Sequence, residues 1–126
     1  MKNLTEVAGR ILLGGFFVMA GIGKIGAGYA GTAGYMDSMG IPGALLPLVI
    51  FLEIAGGLMV ITGFKAKWAG YALAGFSIVA AVIFHSNFAD QMQSIMFMKN
   101  IAISGGLLIL AAHGMGAWSL DRMWSK

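Results

Sequence analysis

The sequence predicts an all-α integral membrane protein: a bundle of four transmembrane helices with N- and C-termini cytoplasmic and short surface helices in loops 1 and 3. Three observations predict it. The chain of 126 residues is 59% hydrophobic and only 10% charged, against about 25% charged in an ordinary soluble domain. Four apolar stretches divide it, each near the roughly 20 residues that cross a hydrocarbon core. Its lysines and arginines gather on one side of a four-span arrangement, as cytoplasmic loops do. At this length, residues 1–126 are read as a single membrane domain.

The first span is expected from about Val7 to Ala27, the second from about Ala44 to Phe64. The third is expected from about Trp68 to His85 and the fourth from about Lys99 to Trp118. Glu6, ahead of the first apolar run, argues against a cleaved signal peptide, and three further spans follow. Glycine and alanine are too common for strands, and period-two alternation is missing.

The loops carry helical signals of their own. Thr32 is expected to cap a short helix through Ser38, with Gly40 as its stop and Pro42 just beyond. In the third loop, Ser86 to Met98, Asn87 is a candidate cap, and Phe88, Met92, Ile95 and Met96 recur at helical spacing. Small residues repeat at spacing four: Ala66, Gly70 and Ala74 on the third span, Ala102 and Gly106 on the fourth. Such stripes let helix backbones approach in a membrane.

Orientation follows from charge. Lys2, Lys65, Lys67, Arg122 and Lys126 fall on one side, and Lys24 and Lys99 on the other. The first side is the cytoplasm by the positive-inside rule, and Trp68, Trp118 and Trp124 mark the same interface. The expected location is the bacterial cytoplasmic (inner) membrane.

Composition also excludes. The net charge of +3 comes with no basic cluster interleaved with aromatics, so nucleic acid is not a partner. No cysteine is present, which removes a thiol–disulfide relay, a cysteine-ligated Fe–S cluster and covalent c-type haem. Non-covalent haem, quinone and simple metal ions stay open. Gly26, Gly28 and Gly31 match a dinucleotide fingerprint but follow a membrane helix instead of a strand, so that reading is rejected.

Glu53 is the sharpest candidate for chemistry. It lies near the middle of the second span beside Gly56 and Gly57. Charged and unpaired in hydrocarbon it costs several kcal/mol, so it is expected to be paired with Arg10 or protonated. Two readings stand together: a structural ion pair, or an acid that handles protons or binds ligand. Arg10, Gly14, Phe17, Gly21 and Lys24 share one face of the first span, with Arg10 and Lys24 roughly 21 Å apart at about 1.5 Å per residue. Lys24 taken alone reads as a snorkelling lysine.

Lys24, His85, Lys99 and Asn100 are expected to gather at the non-cytoplasmic end, with Asp90 joining from the loop. Such a set favours a quinone oxygen or small oxyanion; singly, each is an ordinary interfacial residue. His113 belongs at the opposite end from His85, so one haem between them is disfavoured. Met36, Met39, Met92, Met96 and Met98 suit copper(I) by softness, but the preferred reading is flexible apolar filler.

The order of these motifs resembles the DoxX family of small membrane proteins. It runs from Arg10 through Gly14 to Phe17, Ala20-Gly21 and Lys24, then Gly40-Ile-Pro42 and Glu53 with Gly56-Gly57 and Gly63. His85, Asn87-Phe88-Ala-Asp90-Gln91, Lys99-Asn100, Gly105-Gly106 and Trp118-Ser-Leu-Asp121 follow. The resemblance implies a four-helix bundle and a subunit of quinol oxidation or thiosulfate:quinone oxidoreduction, with quinone as the cofactor class. Catalytic roles are expected for Glu53 and Arg10, and ligand binding for Lys24, His85, Lys99 and Asn100. The implied partners are the lipid bilayer and other membrane or peripheral redox subunits, or a homo-oligomer. The alternatives are a non-enzymatic scaffold subunit and a small-molecule binder or transporter.

The charge bias makes a testable statement about topology. Single cysteines at Lys2, Lys67 and Lys126 are expected to resist an impermeant thiol reagent in intact cells and to react after lysis. External labelling of any two reverses the orientation.

Overall fold

A computed structural model describes residues 2–85 and 88–113. Among them the chain is helical and holds no strand. Helix α1 spans Lys2–Gly23 and α2 Ala27–Ser38; a 3-10 turn, Gly43–Leu45, leads into α3, Leu46–Thr62. Helix α4 spans Ala66–Phe84 and α5 Gln91–His113. Four segments are long and apolar enough to cross a membrane: Asn3–Gly23, Gly43–Thr62, Lys67–Phe84 and Gln91–His113. Helix α2, with 12 residues, is too short to cross and joins the first two spans at one end of the bundle.

Helix α1 lies chiefly against α3, α3 against α4 and α4 against α5, while α5 touches α1 only lightly. Phe17, Val60, Leu73 and Leu107 meet in the centre. The outside is equally apolar: Leu12, Met19, Phe51 and Ile109 are each more than 70% exposed. In water that surface would drive collapse or association; hydrocarbon solvates it.

The α1–α3 contact depends on absent side chains. A Cβ on Gly14 would stand 2.5 Å from the Gly57 carbonyl oxygen, and one on Gly57 would stand 2.6 Å from that of Gly14. Farther along α1, a Cβ on Gly21 would meet the Ile54 side chain at 2.6 Å and the Glu53 Cβ at 3.3 Å. Gly56 faces the other way, towards Leu73 of α4. Backbones this close gain dispersion contacts that a bilayer cannot offer.

On α4, the expected stripe acts through Gly70 and Ala74. Gly70 faces Leu107 and Ala111 of α5, and the Ser104 hydroxyl donates to the Ala74 carbonyl at 3.2 Å. On α5 the stripe differs from expectation: Ala102 is exposed, and Gly106 faces Leu13 of α1.

The end of α3 shows how a buried cation is used. Its last carbonyls have no partner within the helix. Met59 and Val60 accept from the Phe64 and Gly63 amides after the chain turns at Gly63, φ 74°. Ile61 accepts from Arg10 Nη1 at 2.9 Å. Arg10 is 1% exposed and sits at the negative end of the α3 dipole.

Two loop expectations are corrected. The first-loop helix begins at Ala27 after Gly26, which takes φ 72°, so Thr32 is not its cap. Thr32 lies inside the helix and donates to the Gly28 carbonyl at 2.8 Å. Gly40 does follow the helix end, at φ 84°.

In the third loop, residues 91–98 are helical as expected, but they form the first turns of α5 instead of a separate surface helix. The polar residues Gln91, Gln93, Lys99 and Asn100 lower local hydropathy and disguise a continuous helix. Asp90 supplies the cap through its carboxylate, which accepts from the Met92 amide at 2.9 Å. The expected cap Asn87, and Arg122, Lys126, Trp118 and Trp124, lie outside the described residues.

Gly57→Ala is expected to lower stability by about 1–3 kcal/mol, the usual cost of overpacking. Gly75→Ala, where an added Cβ meets nothing within 4 Å, is expected to be neutral or to gain up to about 1 kcal/mol of helix propensity. Thermal unfolding in detergent reads both; equal effects would remove the special status of the α1–α3 crossing.

Candidate functional site: a polar cavity at one end of the bundle

The end of α1, the start of α3, the end of α4 and the first turns of α5 surround a cavity of about 410 Å³. Helix α2 contributes Thr32, Tyr35 and Met36. The walls are largely aromatic and aliphatic, with Phe16 and Phe17 from α1, Leu46 from α3, and Phe76 and Phe84 from α4. Lys24, Glu53, His85, Lys99 and Asn100 all line it.

The first polar feature is an ion pair. Lys24 lies just past the end of α1, and its Nζ approaches Glu53 Oε1 to 2.8 Å. The Glu53 side chain is 5% exposed and that of Lys24 26%. Lys24 Nζ also donates to the Ala20 carbonyl at 3.2 Å, so the side chain folds back over its own helix end. That end of the dipole favours a cation.

Arg10 is therefore not the partner of Glu53, and the expected Arg10–Glu53 pair is corrected. Arg10 binds the far end of α3 at Ile61, about 12 Å along the helix axis from Glu53 at about 1.5 Å per residue. Glu6, one turn before Arg10, is a carboxylate that acts on it electrostatically. Arg10 does not line the cavity, which removes the geometric basis for a catalytic role shared with Glu53.

His85 follows the last turn of α4, its amide bonded to the Ala81 carbonyl at 3.0 Å. Its Nδ1 lies 3.0 Å from Gln93 Oε1 on α5. Lys99 Nζ stands 5.2 Å from the centre of the Phe16 ring, a cation–π contact across the lightly packed α1–α5 seam. No carboxylate among the described residues forms an ion pair with Lys99. Asp90 caps α5 and is absent from the cavity wall, contrary to expectation.

Tyr35 fastens α2 over this end. Its hydroxyl donates to the Phe84 carbonyl at 2.8 Å, and the two ring centres lie 5.6 Å apart with the rings tilted by 37°. Asp37 holds the other side by accepting from the Gly43 amide at 2.6 Å. Sequence reasoning missed Tyr35, Gln93 and Phe16. Each looks like an ordinary loop or lipid-facing residue until the helices are assembled. Of the methionines, Met36 and Met96 line the cavity, while Met39, Met92 and Met98 are exposed.

The site thus offers cationic and amide donors beside carboxylate and imidazole acceptors, at one end of an apolar chamber. Fold and site together define a small four-span membrane protein with a mixed polar cavity between its helices. The DoxX family profile matches residues 6–86, and the chain belongs to that family. Inner membrane protein YqjF of Escherichia coli (strain K12) is 51% identical over 129 residues, covering 100% of this chain and 98% of its own. Inner membrane protein YphA of the same strain is 32% identical over 120 residues, covering 90% of this chain and 85% of its own. No solved structure matches significantly. The chain is a multi-pass protein of the bacterial inner membrane. Arg10, Lys24, Glu53 and His85 lie within the family match, and Gln93, Lys99 and Asn100 beyond it.

A double-mutant cycle separates the two candidate partners of Glu53. Glu53→Ala leaves Lys24 facing a half-buried gap and is expected to cost about 1–3 kcal/mol, below the full price of a deeply buried pair because Lys24 reaches solvent. Glu53→Ala with Lys24→Met is expected to be less than additive by at least about 0.5 kcal/mol, and Glu53→Ala with Arg10→Met to be additive. Coupling to Arg10 and none to Lys24 would overturn the assignment.

Proposed function

We propose that this chain is a quinone-linked redox membrane protein, or the membrane subunit of such a complex, and that the cavity receives a quinone or quinol headgroup. One observation carries the reading: an ion pair, a histidine, a second lysine and an asparagine line a single aromatic chamber. Its size falls in the range of about 300–1,000 Å³ typical of small-molecule sites. The donor set suits the ligand. Apolar walls match a ring with an isoprenoid tail, and Lys99 and Asn100 can donate to its oxygens.

When bound, a quinone–quinol couple supplies two-electron, two-proton chemistry, with electrons exchanged with a partner subunit. The chain's own residues bind, orient and move protons. Lys99 reaches an oxygen from the α5 side. His85 accepts or donates at the imidazole. Glu53, held by Lys24, is a proton-accepting carboxylate screened from bulk water. The light α1–α5 contact leaves a seam facing the bilayer, where such ligands are dissolved.

A scaffold reading rests on a separate observation: the Lys24–Glu53 pair and the Arg10–Ile61 hydrogen bond both tie α1 to α3. Binding decides between them. Wild-type protein in lipid nanodiscs is expected to bind a short-chain quinone analogue, and Lys99→Met to weaken binding about tenfold, the worth of one charge-assisted hydrogen bond. No binding to the wild type, or equal binding to both with Lys99→Met folded, leaves the scaffold reading ahead.

A further inference from the structure

His85 is the one cavity residue whose role depends on which ring nitrogen carries the proton. A neutral imidazole donates from one nitrogen and accepts at the other. The hydrogen bond made at one position selects the state of the other. Here Nδ1 lies 3.0 Å from Gln93 Oε1. With the Gln93 amide turned so that its carbonyl oxygen meets the ring, Nδ1 donates, and a neutral ring then leaves Nε2 bare.

Gln93 is held in place for this. Asp90 starts α5 by accepting from the Met92 amide through its carboxylate, 2.9 Å, and from the Ser94 amide through its carbonyl, 3.1 Å. Those two bonds bracket Gln93 on the first turn of the helix. On the other side, the His85 amide closes α4 at Ala81. The imidazole–amide bond therefore joins the end of one span to the start of the next, with both backbones anchored.

The surroundings give the bare nitrogen a purpose. The other polar side chains on the chamber wall are Lys24, Lys99, Asn100, Glu53 and the hydroxyl-bearing Thr32, Tyr35 and Ser77, with two ammonium groups that can only donate. Lys24 holds Oε1 of the Glu53 carboxylate, and the hydroxyls of Thr32 and Tyr35 donate to the Gly28 and Phe84 carbonyls. A ligand carbonyl is served by the donors, but a ligand hydroxyl needs an acceptor, and Nε2 of His85 supplies one.

We infer that Gln93 is a positioning residue that holds His85 in its Nδ1–H tautomer, so that Nε2 accepts a hydrogen bond from a ligand hydroxyl and the cavity selects the reduced, hydroxyl-bearing form of its ligand over the oxidised carbonyl form. The selectivity half rests on the quinone reading above. The tautomer half stands without it.

The test has two arms. In the first, nitrogen-15 NMR of histidine-labelled protein in nanodiscs, with His113→Gln to leave one signal, reads the His85 tautomer in mildly alkaline buffer without ligand. The expected wild-type ring carries its proton on Nδ1. Gln93→Glu, which keeps an acceptor, preserves that state, and Gln93→Leu moves the ring towards the Nε2–H form that free imidazole favours. An Nε2–H ring in the wild type, or no change in Gln93→Leu, overturns the inference whatever binds.

In the second arm, a short-chain hydroquinone and its benzoquinone are titrated into both proteins. The hydroquinone is expected to bind the wild type about tenfold more tightly, with the preference lost in Gln93→Leu. A preference that survives Gln93→Leu overturns the selectivity half. Failure of both forms to bind, with the Nδ1–H ring seen, supports the tautomer half and overturns the quinone reading together with the selectivity built on it.

Discussion

A carboxylate in the middle of a hydrocarbon slab must take a proton or meet a cation, and most of this bundle can be traced to how Glu53 meets that demand. Its cation is Lys24, just past the end of the neighbouring span. A lysine stem is long, but the contact of 2.8 Å still requires α1 and α3 to run nearly in touch. That approach is allowed at Gly14, Gly57 and Gly21, where an added Cβ would collide with backbone or with the Ile54 side chain. The glycines and the ion pair are parts of one arrangement. Small residues let the helices close, and closure brings the charges together.

The C-terminal end and the middle of α3 solve different problems with different cations. At its C-terminal end the helix leaves a carbonyl at Ile61, which Arg10 satisfies with a planar donor suited to a fixed acceptor. Near the middle of the helix, the flexible Lys24 meets the Glu53 side chain beside a cavity. An arginine committed to backbone has little freedom left for chemistry. A lysine–carboxylate pair on a cavity wall can rearrange when a ligand offers a competing oxygen. The asymmetry puts a fixed tie at the Arg10 end of the bundle and an adjustable one beside the cavity.

The cavity exists because the ring of helices closes unevenly. Contacts from α1 through α3 and α4 to α5 are extensive, and the return from α5 to α1 is light. Phe16 and Lys99 bridge that seam with a cation–π contact, a weaker tie than interlocked backbones. Helix α2 covers the same end, with Gly26 and Gly40 at its two ends and the Tyr35–Phe84 hydrogen bond holding it down. Tight packing at the Arg10 end supports an open chamber at the other.

By itself the sequence determined the solvent, the spans and the residues worth watching. Hydropathy is a sum over neighbours in the chain, so four stretches of apolar residues are legible without knowing what they touch. Depth is also legible, because 1.5 Å per residue converts position into height. That is why Lys24, His85, Lys99 and Asn100 could be placed on one level, and they do line one cavity. The tertiary structure alone decided the partners. By sequence, Arg10 and Lys24 share a face of the first span, and the expected partner of Glu53 is Arg10; the structure pairs it with Lys24. Choosing between them depends on the rotation and vertical offset of α3 against α1, which the glycine crossing sets and no single residue encodes. Gln93 was invisible for the same reason: its importance lies in a histidine on another helix, and only the packing of α5 against α4 brings the two together.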